Sequence, residues 1–370
     1  MIRGQILMVV GLMIAVAGCS SSPVVVKGEA DEEMLTRLSR YDVEEEDLRF
    51  QVDQVEVHAT VTRPVGASAV PGVVLVAGSG PTDRDWNNPL LPGDNGTAIE
   101  LSARLAATGV AVLRYDKRGT GSTALNGVIQ WEDYLDEVEA AVDWLRADAG
   151  TDEGRIFVAG HSEGGVHALR AVAEQRVEVA GLILLAAPGR SMSALILDQV
   201  EDQLVGVGLS EEAVDNEVQR LKRALDAFVT GRNVQSAQVS EIPGIVAMLE
   251  SLQMEEARGF ASEILPWEPT QAIKEVSVRL LLLQGLKDTQ VDAERDAHRL
   301  LAAAEEAGRE VELVLAGDAD HVFKHQSRPR EELGPQHSLV YNDPTRHLDR
   351  AALAAMVRWI LSDQRSGDAE

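Results

Sequence analysis

Apolar and polar positions change rhythm along this chain, and each change marks a different kind of element. From Leu48 to Thr62 apolar residues alternate with polar ones through Val52, Val55, Val57, Ala59 and Val61. A period of two belongs to strands with one buried face, so this stretch predicts an antiparallel hairpin, with a turn from Pro64 to Pro71. Next come runs that are apolar on both faces: Val73-Val74-Leu75-Val76, Val110-Ala111-Val112-Leu113, Ile156-Phe157-Val158 and Leu182-Ile183-Leu184-Leu185. Between them lie helical patterns at Ala98 to Ala107, Trp131 to Ala147 and Val166 to Glu174. Doubly buried strands alternating with helices predict an α/β class fold with a mostly parallel central sheet. Two further runs, Arg279 to Leu283 and Val311 to Leu315, flank a helix near Glu294 to Ala307, and a helix near Leu353 to Leu361 closes the pattern.

Between Pro188 and Pro269 the strand rhythm stops. Apolar residues recur there at helical spacing, at Leu195, Leu197, Val200 and Leu204, then Val218, Leu221 and Leu225, then Ile245, Met248 and Leu252. An all-helical insertion of about 80 residues between two sheet strands predicts a cap over an active site. The expected division is a core of residues 47–187 and 271–370, with the insertion at 188–270.

The N-terminus adds a compartment. Arg3, the apolar run Ile6 to Ala17 and the small residues before Cys19 follow the order of a secretory signal peptide, too short to span a bilayer comfortably. Val16-Ala17-Gly18-Cys19 resembles the lipobox of bacterial lipoproteins. That resemblance implies removal of residues 1–18, a lipid anchor on Cys19, a tether with a short helix over 19–46 and a periplasm-facing protein. Ser20 resembles an outer-membrane sorting signal. Cys19 is the only cysteine, so no intramolecular disulfide can form and the core must supply the stability. A net charge of −26, spread along the chain, excludes nucleic acid as a partner, because phosphates would be repelled.

Chemistry concentrates at Gly160-His161-Ser162-Glu163-Gly164-Gly165, which follows Ile156-Phe157-Val158-Ala159 and opens a helical pattern. A serine at such a strand-to-helix turn needs glycine neighbours, since a Cβ at Gly160, Gly164 or Gly165 would strike the adjoining strand or helix. A serine hydroxyl is a poor nucleophile until a histidine takes its proton and a carboxylate orients that histidine. Asp288 follows the strand ending near Leu283, and His321 follows the strand ending near Leu315. All three lie at carboxyl ends of strands, where open parallel sheets place their sites. Asp292 competes with Asp288 as the acid, and His325 with His321 as the base. Those two histidines with Asp318 and Asp320 would be the only grouping suggestive of a metal, and no second cluster supports one. His161 and His167 read as packed or hydrogen-bonded, with His161 pointing away from the mouth of the site.

In the chain order Ser162, Asp288, His321 the sequence resembles the α/β-hydrolase superfamily, over about residues 48 to 363. Val76-Ala77-Gly78-Ser79-Gly80-Pro81-Thr82-Asp83-Arg84-Asp85 is similar to the oxyanion-hole segment of bacterial carboxylesterases related to serine aminopeptidases and dienelactone hydrolases. Arg114-Tyr115-Asp116-Lys117-Arg118-Gly119-Thr120-Gly121-Ser122 resembles the family's Asp-x-Arg-Gly-x-Gly-x-Ser turn. Ala77 departs from the histidine that many relatives carry there. The resemblance implies hydrolysis of a small ester through an acyl-enzyme, without metal or organic cofactor. It implies oxyanion donors at the Ser79 and Glu163 N–H groups, with Gly80 the alternative to Ser79. Asp83, Arg84 and Asp85, like Asp116, Lys117 and Arg118, read as braces of charged turns. The same triad would serve an amidase or aminopeptidase, which an amine-holding acidic patch would favour. A non-catalytic envelope binding protein is the rival from another class.

Overall fold

A computed structural model describes residues 23–26 and 29–362. The signal segment 1–18 and Cys19 lie outside the described residues. Strand β1 (Val24–Val26) and helix α1 (Glu29–Leu38) precede a hairpin of β2 (Val43–Val52) and β3 (Val55–Pro64). The chain then alternates through β4 (Val70–Val76), α2 (Thr97–Ala107), β5 (Ala111–Tyr115), α3 (Trp131–Ala147), β6 (Thr151–His161), α4 (Glu163–Ala173) and β7 (Gly181–Leu185). Helices α5 (Met192–Gly206), α6 (Glu211–Val229), α7 (Ser236–Val239), α8 (Pro243–Leu252) and α9 (Glu255–Ile264) form the insertion. Helix α10 (Pro269–Ala272), β8 (Arg279–Gly285), α11 (His298–Glu306), β9 (Val311–Ala316) and α12 (Arg350–Leu361) complete it.

Among the described residues, nine strands make one sheet in the order β1-β9-β8-β7-β6-β4-β5-β3-β2. Pairing is parallel from β1 to β5, and β3 and β2 join by antiparallel pairing. Alternate residues of each central strand enter two different cores. Val73, Leu75, Phe157 and Ile183 pack with Leu105 of α2 and Met356 of α12. Val74, Val158 and Leu182 pack with Leu135 and Val138 of α3 and Leu169 of α4. At about 1.5–3 kcal/mol for each large aliphatic side chain buried, these two layers hold the sheet in register.

Two expectations change. The stretch expected as a tether joins the sheet: Val24 to Val26 pair with Val314 to Ala316, and Glu32 of α1 meets Arg350 of α12. Three valines suffice to cover the open edge of β9. The hairpin also starts earlier, at Val43. Its first residues are acidic, because Glu45 and Glu46 bind Arg114 and Arg63 instead of alternating with apolar neighbours.

The sheet order reverses between β4 and β6, which are neighbours although β5 lies between them in sequence. Such a switch point leaves a crevice at the strands' carboxyl ends. Gly78 follows one of these strands and Ser162 the other.

Candidate active site

Ser162 sits between β6 and α4 with φ 53° and ψ −124°, backbone angles a non-glycine residue adopts only under strain of roughly 1–3 kcal/mol. Its neighbours make that turn possible. A Cβ on Gly160 would stand 2.3 Å from the Gly164 carbonyl oxygen, and one on Gly164 2.4 Å from that of Val76. The serine N–H donates to the Leu185 carbonyl at 2.8 Å, which ties the turn to β7.

His321 and Asp288 come together at the end of the neighbouring strands. His321 Nδ1–H donates to Asp288 Oδ2 at 2.8 Å, and both side chains are buried. Asp288 also accepts from the backbone of Gln290 at 2.7 Å and Val291 at 3.0 Å, and from Gln284 Nε2 at 2.9 Å. Four donors leave the carboxylate one orientation, and they fix the imidazole tautomer with its Nε2 free of the proton. The competitors lie elsewhere. Asp292 caps the following helical turn through Arg295 N, and His325 is exposed against Asp349. Asp318 binds Lys287 and Asp320 binds Arg346, so the four groups that suggested a metal point to separate partners.

His161 is packed as expected, but it also borders the cavity. Its ring stacks on Trp86 at 4.4 Å, and its Nε2–H donates to the His321 carbonyl at 2.8 Å. Burial, and then the nearby His321, push its pKa down to about 3, so the ring stays neutral. His167 is fully buried: Trp131 Nε1–H donates to its Nδ1 at 2.9 Å, which leaves Nε2–H facing Glu163 at 3.5 Å.

Ser162 and His321 line one cavity of about 340 Å³ with Gly78, Ser79 and His161. Among the described residues, the backbone N–H groups of Ser79, Gly80 and Glu163 have no acceptor within the protein. Glu163 stands in the first turn of α4, at the positive end of the helix dipole. The turn motifs behave as braces. Arg84 binds Asp116 through its backbone at 2.7 Å and its guanidinium at 3.1 Å, and Arg114 Nε meets Asp85 at 2.8 Å.

The outer wall differs from expectation. Trp86, Asn88, Leu90 and Leu91 supply one side, and Val322, Ser338, Tyr341 and Asn342 the other. No residue of 188–270 lines this cavity. The insertion is helical and buries Leu221, Phe228, Ile245 and Leu249 against itself; it reaches the cavity wall from behind, through Gln199 Nε2, which donates to the Gln290 carbonyl, and through α5, which packs on the turn that carries Ser338. The two loops clasp each other: Asn342 Nδ2 donates to Gly93 O at 2.8 Å, and Asn95 Nδ2 to Tyr341 O at 3.3 Å. Nothing in the periodicity pointed to this clasp. Lys117, read as part of a brace, lies buried beneath the loop, and three charged residues after a doubly apolar strand were its only signal.

A profile of the alpha/beta hydrolase family matches residues 73–334. Esterase EstD of Thermotoga maritima is 26% identical over 316 residues, which cover 81% of this chain. The chain spans 64% of that relative's length, a little under two thirds. Proline iminopeptidase of Mycobacterium smegmatis superposes with a TM-score of 0.50 at 15% identity, over 85% of this chain and 98% of that one. VinJ gives 0.51 at 15% identity, over 86% and 98%. Both share the fold.

Proposed function

Because the chain belongs to the alpha/beta hydrolase family, we propose that it is a serine esterase that cleaves carboxylic esters through an acyl-enzyme on Ser162. The observation that carries this reading is the 2.8 Å bond from His321 to Asp288, made at the rim of the cavity that holds Ser162 on its strained turn. Ser162 Oγ bonds to the ester carbonyl carbon while His321 Nε2 takes its proton. The tetrahedral oxyanion accepts from the Ser79 and Glu163 N–H groups, each worth about 3 kcal/mol of barrier in such sites. The carbon–oxygen bond to the alcohol then breaks, and His321 returns the proton to the departing oxygen. Water repeats the sequence on the acyl group, and the acid leaves as Ser162 regains its proton.

The cavity's side chains favour an uncharged substrate. Among its described lining residues beyond His161 and His321, the polar side chains are neutral amides and hydroxyls such as Asn88, Gln290 and Ser338, with no carboxylate to hold a substrate amine. That supports an ester over an aminoacyl substrate, and the volume suits a short acyl chain. Labelling by a fluorophosphonate probe and turnover of p-nitrophenyl acetate, both lost in Ser162→Ala, are the expected results. Wild-type protein that is neither labelled nor active sinks the reading.

The N-terminal motif supports a second part of the proposal, a cell-envelope location through lipid on Cys19. Among the described residues no helix is long and apolar enough to cross a membrane. Cys19→Ala should release the protein from the membrane fraction, and a variant that stays there contradicts the anchor.

A further inference from the structure

Lys117 is 2% exposed, and the reaction as drawn does not use it. An ammonium group leaves water at high cost, so the direction of its donors is informative. Its Nζ donates to the Gly78 carbonyl at 2.5 Å, lies 3.9 Å from Glu163 Oε1 and stands 5.6 Å from the centre of the Tyr134 ring. Burial lowers the lysine pKa, while Glu163 and Glu137 oppose that and favour the charged form.

The Gly78 carbonyl belongs to the same peptide unit as the Ser79 N–H. That unit is trans, so its C=O and N–H point in opposite directions. Holding the oxygen on the Lys117 side therefore aims the Ser79 N–H away from Lys117. A Cβ on Gly78 would stand 3.3 Å from Ser162 Cβ, which sets this peptide beside the nucleophile. A cation on the carbonyl oxygen also polarises the amide and strengthens its N–H as a donor. Glu163 answers the charge with its side chain and offers its own N–H as the second donor. Burial works against that carboxylate, but His167 and Lys117 outweigh it and hold its pKa below the ordinary range.

We propose that Lys117 is a positioning residue for the esterase reaction, orienting and polarising the Gly78–Ser79 peptide while its pairing with Glu163 links the two oxyanion donors. This inference rests on the esterase reading above. The test compares wild type, Lys117→Met, and Lys117→Met combined with Glu163→Gln, which leaves no stranded carboxylate. Each is assayed with p-nitrophenyl acetate and with a trifluoromethyl ketone, whose serine adduct carries the same oxyanion. In both variants kcat should fall roughly 10- to 100-fold. KM should stay within about twofold, and ketone affinity should fall in step with kcat. A folded variant that keeps kcat, or one that loses kcat but binds the ketone as wild type does, overturns the role. Should the single variant fail to fold, the double variant decides. Fluorophosphonate labelling of wild type separates the two readings. Without it both fall; with it and undiminished variants, only the Lys117 role falls.

Discussion

The helical insertion is the larger and more regular of the two regions that project beyond the sheet, yet the other region, a pair of irregular loops, walls the cavity at Ser162. The difference follows from where each region finds its stability. Helices α5 to α9 bury an apolar face against one another, around Leu221, Leu225 and Phe228, and so satisfy themselves. The loops have no core of their own. They are held by directional bonds from side chains to backbone: Asn342 to Gly93, Lys324 Nζ to Tyr341 at 2.9 Å, and Asp320 accepting from Val322 N at 3.1 Å. Bonds of that kind fix positions, which a reacting centre needs. Apolar packing of the insertion supplies bulk and a support behind Gln290.

The comparison can be broken at several points. Asp288→Asn, on the loop side, should lower kcat about 10⁴-fold by presenting the wrong histidine tautomer, with the fold intact by circular dichroism. A loss of less than tenfold would remove His321 and Asp288 from the centre of the chemistry. Asn342→Ala should lower kcat/KM about tenfold and stability by about 1–3 kcal/mol, because the Gly93 carbonyl loses its donor and both loops loosen. Equal kinetics in that variant would mean that the clasp does not shape the cavity.

Phe228→Ala, in the insertion, should cost about 3–5 kcal/mol in denaturant melts. It should leave KM for a short ester unchanged. A raised KM would show the insertion reaching substrate after all. The smallest effect at neutral pH belongs to His161, where the loop wall meets the Ser162 turn. Its pKa is about 3 in the fold against 6.5 for a free ring, so the unfolded chain binds more protons in between. Stability should therefore be intact above 6.5 and decline as pH falls towards 3. Thermal melts of His161→Gln should show a shallower decline over that window, with turnover at neutral pH little changed.

Much of this was legible from residue order. Trp131–Ala147 is the helix its spacing predicts, and the doubly apolar runs are the central strands, because burial on both faces writes a continuous apolar signature. The glycines around Ser162 announced a turn that only they permit. Strand-end position and the chain order after Ser162 singled out Asp288 and His321 over Asp292 and His325, and those two side chains meet.

Other features left no trace in periodicity. Val24–Val26 carries too few residues to read as a strand until β9 offers it an edge. Cavity walls, the partners of Asn342 and the direction of the Lys117 ammonium arise between segments far apart in the chain. Local sequence determines which stretches must be buried, and therefore the elements and the sheet, since that is set by side-chain polarity at fixed spacing. Which loops face Ser162, and which buried charge lies beneath its neighbouring peptide, only the tertiary structure decided, because those contacts depend on how the elements pack.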